Sequence, residues 1–331
     1  MWRNALVASA PAEGTEPERI LTSVFALDSS SDGRTVVACL RGDAAVMSPL
    51  LIRRDNGPTL RIPAAESLIT NSLFFKAAMF PAGESLLVAA FPSGVSRLDL
   101  DSGESRLLRS LAGPAAPTAL AIAPDGRMFA LAQQDQVLLC DTADGTERTL
   151  LQLPNGDVTD IDFSSGGTLM GTARGNGEIV LWSTESGAPT QVLRWAERSP
   201  SPPITRIRLV EAGRRLAAVG LDGAFRLWDT RTGEVVWSKP SHGHGLRALA
   251  VSPDGLVAAV GGDDCLIRIY DLVSVRERHV LDEHTKAIMS LRFVAERSLL
   301  ISASNDGTIL FWDGAADFSL VDCIEIDRPT R

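Results

Sequence analysis

Short runs of alternating apolar and polar residues, separated by turns rich in Gly, Asp, Ser and Pro, recur along most of the chain. Alternation of this kind marks strands with one face turned to a core. Residues 246–271 show the unit plainly, as LRALAVSPDG, LVAAVGGDD and CLIRIYD. Residues 288–313, 204–229, 158–183, 119–141 and 76–99 repeat it, and residues 24–53 hold the faintest copy. Val, Ile, Leu and Ala fill the runs, as half-buried strands require. Pro-Asp-Gly at 124–126 and 253–255, with Asp-Gly at 32–33, 222–223 and 306–307, supplies turn backbone that accepts positive φ. No long amphipathic helical period occurs.

The spacing of the unit is regular. Asp99, Asp141, Ser183, Asp229, Asp271 and Asp313 follow one another at intervals of 42 residues, except for one interval of 46. Gly103, Gly145, Gly187 and Gly233 each stand four residues after one of these positions. A fourth short apolar run follows the turn, as in Leu107-Leu108, Leu150-Leu151, Val192-Leu193, Val235-Val236 and Val280-Leu281. Four strands per unit and seven units predict an all-β repeat protein.

The third strand ends in Trp228-Asp229 and Trp312-Asp313, with Tyr270-Asp271, Cys140-Asp141 and Trp182-Ser183 as variants. Four-stranded units of this period and ending resemble the WD40-repeat β-propeller family over roughly residues 20–326. The resemblance implies a seven-bladed β-propeller of four-stranded antiparallel blades, with strands a to d running outward from a central channel. Residues 1–19 then form an N-terminal segment and 327–331 a tail. Ring closure has two candidates, residues 319–326 (SLVDCIEI) and residues 4–8 (NALVA). In this family a buried network links a d–a loop His, a strand-b Ser/Thr, a b–c turn Asp and the Trp. The last repeat matches it at His284, Ser302, Asp306 and Trp312; repeat six keeps His242 and Asp264; repeat four keeps Thr172, Asn176 and Trp182.

The resemblance also implies that the face carrying the d–a and b–c loops is where a protein partner docks. Arg41, Phe91, Gln133, Arg174, Leu221, Asp263 and Asn305 are carried there, one per repeat. The single 46-residue interval adds a loop, residues 194–203, holding Trp195, Arg198 and several prolines. Trp and Arg dominate interface energetics, so Trp195 and Arg198 are candidate anchors. The alternative is that Trp195 packs onto its own blade. The connector Leu68–Phe75 is apolar enough to be buried.

Composition narrows the chemistry. A net charge of −9, with no dense Lys/Arg cluster, argues against nucleic-acid binding. Only Lys76, Lys239 and Lys286 are lysines among 32 basic residues, a bias that suggests a GC-rich bacterial genome. Cys39, Cys140, Cys265 and Cys323 are scattered, as in a reducing, cytoplasmic setting. The apolar run 5–10 is too short for a signal-peptide core, and no run is long enough to span a membrane. No catalytic motif is present. His242 and His244 near Asp263 and Asp264 could be drawn as a metal site, but the blade network accounts for His242 and Asp264. The expectation is a non-enzymatic scaffold or adaptor: a monomeric propeller within a hetero-complex, with no cofactor or metal. The alternatives are a propeller hydrolase or lactonase with a channel metal, and a peptide or small-molecule sensor.

Overall fold

The computed structural model describes residues 23–41, 50–54, 60–62, 74–111, 115–153, 156–195, 201–240, 243–294 and 296–326. The strands form seven four-stranded antiparallel sheets, numbered here in chain order and lettered a to d within each. Sheets two to seven are complete blades. Sheet one is partial: strands a (Ser23–Ser29) and b (Thr35–Arg41) are followed by a strand c of Leu50–Arg54 and a strand d of only Leu60–Ile62. The other inner strands are Phe74–Met79, Pro117–Ile122, Val158–Phe163, Ile204–Val210, Leu246–Val251 and Ile288–Val294.

Core residues lie between sheets rather than inside any one of them. Each apolar cluster draws on two consecutive sheets. Trp195, Leu193 and Ala173 of sheet four pack on Ile207, Leu216 and Trp228 of sheet five, for instance. The same arrangement spans the seam, where Val24, Val36 and Leu40 of sheet one meet Val294, Ile301 and Phe311 of sheet seven. A strand face of alternating apolar residues has no partner within its own sheet, so only a neighbouring sheet can remove it from water.

Strand a leaves its inner edge unpaired toward the channel, and unpaired amides away from bulk water need acceptors. Side chains of the preceding sheet supply several. The Met79 amide donates to Asp28 Oδ2 at 2.8 Å, that of Ile207 to Asp160 Oδ2 at 2.9 Å, that of Leu209 to Asp162 Oδ2 at 2.6 Å, and that of Leu27 to Ser290 Oγ at 3.1 Å. The last bond crosses the seam, as does an ion pair from Arg292 to Asp28 at 3.3 Å. Closure therefore needs no exchanged strand among the described residues. The segment 319–326 is the outer strand of sheet seven (Ser319–Glu325), paired with Thr308–Asp313 of its own repeat. Residues 4–8 and the connector 68–73 lie outside the described residues.

The Trp-Asp landmark has a local cause. Trp228 and Trp312 hold the same register, opposite Leu216 and Leu300, and each is 1% exposed. The Asp that follows caps the c–d turn: Asp229 Oδ1 accepts the Arg231 and Thr232 amides at 2.9 and 3.0 Å. Four residues on, Gly233 adopts a φ of 78° and its amide donates to the Asp229 carbonyl at 2.9 Å. A side chain there would be strained, which explains the glycine.

Replacing Asp28 with Ala removes the acceptor for Met79 and the partner of Arg292. Asp28→Ala is expected to lower stability by about 1.5–3 kcal/mol, the range for hydrogen bonds to a charged group, read as a lower urea midpoint.

Candidate interaction face

The b–c turns end one face of the ring, and strand register decides which side chains reach it. Counting from the strand-b residue opposite the Trp position, Arg41, Phe91, Leu221, Asp263 and Asn305 are equivalent. Gln133 and Arg174 fall one residue short, so the equivalents in their sheets are Gln134 and Gly175. A slip of one residue turns a strand side chain to the opposite face. The expectation that Arg174 reaches the mouth is corrected on this ground: it is 4% exposed, pairs with Glu178 Oε2 at 2.9 Å and donates to the Leu153 carbonyl at 3.2 Å. Gln133 is half-buried and donates to the Ala115 carbonyl at 2.5 Å. Phe91 and Asn305 are half-buried at the mouth, Leu221 and Asp263 exposed. The side chain of Arg41 lies outside the described residues, as do Arg198 and His242.

Trp195 also departs from the expectation of an exposed anchor. It is 3% exposed and packs on Trp228 with ring centroids 5.7 Å apart. Its Nε1–H donates to Asp222 Oδ2 at 2.7 Å, and the Arg226 guanidinium stacks over its ring at 4.2 Å. The other Asp222 oxygen accepts the Ala224 amide at 3.1 Å. Trp195 thus braces the turn from below, and Leu221 sits at the top of that turn.

The patch that this brace supports joins two repeats and is not visible within either one alone. The turns of sheets five and six converge over Gly245, where a Cβ would lie 3.3 Å from Leu221 Cδ2 and 3.0 Å from Asp263 Oδ2. Asp263 holds a forked pair with Arg247, Nε to Oδ1 at 2.5 Å and Nη2 to Oδ2 at 3.2 Å. His244 is exposed beside them. Leu221, Asp263, Arg247 and His244 form an apolar point bordered by fixed charge. The signal in the sequence was weak: Gly243 and Gly245 flanking His244.

Both carboxylates of the candidate metal site are ion-paired. Asp263 pairs with Arg247, and Asp264 with Arg268 at 2.6 Å. Among the described residues no group of three or more His, Cys, Asp or Glu is placed to hold a metal ion.

In sheet seven the buried network is continuous. Trp312 Nε1–H donates to Ser302 Oγ at 2.9 Å, Ser302 Oγ lies 2.8 Å from His284 Nε2, and His284 Nδ1 lies 2.9 Å from Asp306 Oδ2. Every group is satisfied when Ser302 donates to Nε2 and Nδ1–H donates to Asp306, an assignment made from geometry. Asp306 also accepts from the Thr285 amide at 2.9 Å and the Thr308 hydroxyl at 2.6 Å. Burial would raise the Asp306 pKa, but the bonds from His284, Thr308 and Thr285 outweigh it and hold the carboxyl below the usual range. In sheet four Trp182 Nε1–H donates to Thr172 Oγ1 at 3.0 Å, and Asn176 Oδ1 accepts the Glu178 amide at 3.0 Å.

A family model for the WD domain, G-beta repeat matches residues 233–271 and 276–313. Each match starts near the outer strand of one sheet and ends with strand c of the next, so the sequence repeat is offset from the structural blade. Periodic tryptophan protein 2 of Arabidopsis thaliana is 33% identical over 91 residues, covering 28% of this chain and 10% of that protein. Angio-associated migratory cell protein of Homo sapiens is 28% identical over 211 residues, 56% of this chain and 48% of the relative. Cell division cycle 20.4, cofactor of APC complex, of Arabidopsis thaliana is 27% identical over 199 residues, 56% and 44%. The matched stretch thus covers less than half of each of these relatives. Together with the four-stranded sheets, the matches support the WD40 β-propeller family. These relatives are eukaryotic and lend no support to a bacterial source.

Trp195→Ala is expected to destabilise the protein by about 3–5 kcal/mol, the range for truncating a large buried aromatic, seen as a lower urea midpoint. Asp306 has a depressed folded pKa, so its contribution is complete above the unfolded aspartate pKa of about 3.9 and is lost as pH falls through the lower folded value. Asp306→Asn should therefore cost about 1–3 kcal/mol at neutral pH, and the gap to wild type should narrow below about pH 4 in unfolding titrations.

Proposed function

We propose that the chain is a non-enzymatic protein-interaction scaffold: a cytoplasmic, seven-bladed propeller in which sheet one serves as the seventh blade. A protein partner docks where the b–c turns of sheets five and six converge. The observation that carries this reading is the exposed Leu221, 40% accessible, on a turn braced by Trp195 and Asp222 and bordered by the Arg247–Asp263 pair. A large apolar side chain presented rigidly, with charge at its rim, suits recognition without an ordering penalty at binding. Two relatives carry names that place them in assemblies, one a cofactor of the APC complex and one a telomerase protein component. We extend to this chain only the general role of a subunit, as a monomer in a hetero-complex.

The reading is tested by affinity purification of the full chain from its own cells with quantitative mass spectrometry. Leu221→Asp is expected to reduce recovery of the principal co-purifying protein by about tenfold or more, a loss of about 1.4 kcal/mol, with an unchanged melting temperature. Undiminished recovery in a folded Leu221→Asp protein contradicts the assigned face.

A further inference from the structure

The inner strands place a second set of groups in the central channel, remote from the docking turns. Strand register aligns Ala26, Lys76, Ala119, Asp160, Arg206, Ala248 and Ser290 at one level of the ring. Where an oxygen-bearing side chain stands at this level it caps an inner-edge amide of the next sheet: Ser290 takes that of Leu27, and Asp160 that of Ile207. Asp160 Oδ2 also receives the Arg208 guanidinium, at 3.1 Å. Anion, cation and inward-pointing amide therefore complete one another in sheets four and five.

In sheets two and five the level holds a cation instead. In the sheets that follow them, Leu120 and Leu249 share the inward register of Ile207. No side-chain oxygen among the described residues accepts from either cation at hydrogen-bond distance. Among the described residues neither Lys76 nor Arg206 has an ion-pair partner; Arg206 Nη1 donates only to the Thr205 carbonyl, at 2.6 Å. The one carboxylate at their level, Asp160, is already engaged. Both side chains keep some contact with solvent, so the space they line is open to it. Both also lie deep enough that burial lowers their pKa, and Arg206 lowers that of Lys76 further while Asp160 draws it back. The two sheets stand three apart around the ring, with Ala119 and Asp160 between them on one side and Ala248, Ser290 and Ala26 on the other, all shorter than the cations.

We propose that the channel binds a small oxyanion, a phosphate or a carboxylate, between Lys76 and Arg206. It goes beyond the docking role and does not depend on it.

The test uses the full chain in buffers of matched ionic strength, with inorganic phosphate, acetate or chloride as the varied anion. Melting temperature and titration calorimetry are the readouts. The expected result is a saturable rise in melting temperature with phosphate, acetate or both that chloride does not produce, since a ligand of the folded state stabilises it by mass action. The phosphate and acetate arms show which oxyanion is preferred. Lys76→Ala and Arg206→Ala should each weaken that binding by about tenfold or more, whereas Lys239→Ala should leave it unchanged. Alanine already occupies the equivalent place in sheets one, three and six. If either alanine variant fails to fold, Lys76→Gln and Arg206→Gln provide the same comparison with the side chain retained. Equal responses to all three anions, or an undiminished response in folded variants at both positions, overturns the proposal.

Discussion

Every sheet in this protein depends on the next one for its core. The middle strands are buried along nearly their whole length, on both sides, so each sheet has two apolar faces and no interior of its own. Face-to-face contact between consecutive sheets is therefore the interaction on which the rest stands, and it is satisfied for all of them only if the last sheet meets the first. The seam between sheets seven and one, with Val24, Leu40, Val294 and Phe311 buried across it, is built like the other interfaces. Carboxylates and a serine on the inner strands add a second tie by capping amides that the channel edge leaves open.

The polar landmarks serve the same constraint. A strand packed on both faces has to turn sharply at its ends, and Asp229 with Gly233 makes such a turn through amide caps and a positive φ. The His284–Ser302–Trp312 chain ties a d–a loop, strand b and strand c into one unit. In sheet five, where no such histidine is present, Trp195 and Asp222 fasten the equivalent turn by a different bond. Rigid turns at the ring's face are the consequence, and Leu221 is displayed on one of them.

Much of this was legible in the chain itself. Period, alternation and turn residues located the four strands of sheets two to seven, because each signal is local and repeated. The network of the last repeat came from the family resemblance, which His284, Ser302, Asp306 and Trp312 match. What depended on three-dimensional register was not. Arg174 and Gln133 looked like mouth residues, yet one position along strand b turns them away from it. The irregular loop left Trp195 open between an exposed anchor and packing on its own blade; it is buried, but against Trp228 of the next sheet, which shows only once sheets four and five are side by side. Asp264 was assigned to a histidine, His242, that lies outside the described residues; the pair with Arg268, four residues on, was not foreseen. The convergence of Leu221 and Asp263 over Gly245, and the level shared by Lys76 and Arg206, join residues of different repeats, which a search within one repeat cannot find.

The closed seam is the claim that all else rests on, and its most direct test is a distance. Gly33 abuts Val294 across the seam, with a notional Cβ 2.3 Å from Val294 Cγ1, and Arg34 and Glu296 flank that contact with exposed side chains. Nitroxide labels at positions 34 and 296, in a background with Cys265 and Cys323 replaced by serine, report whether the two ends of the ring touch. The account predicts one population with strong dipolar broadening. A spectrum without broadening, or a dominant long-distance population, would show an open ring and contradict it.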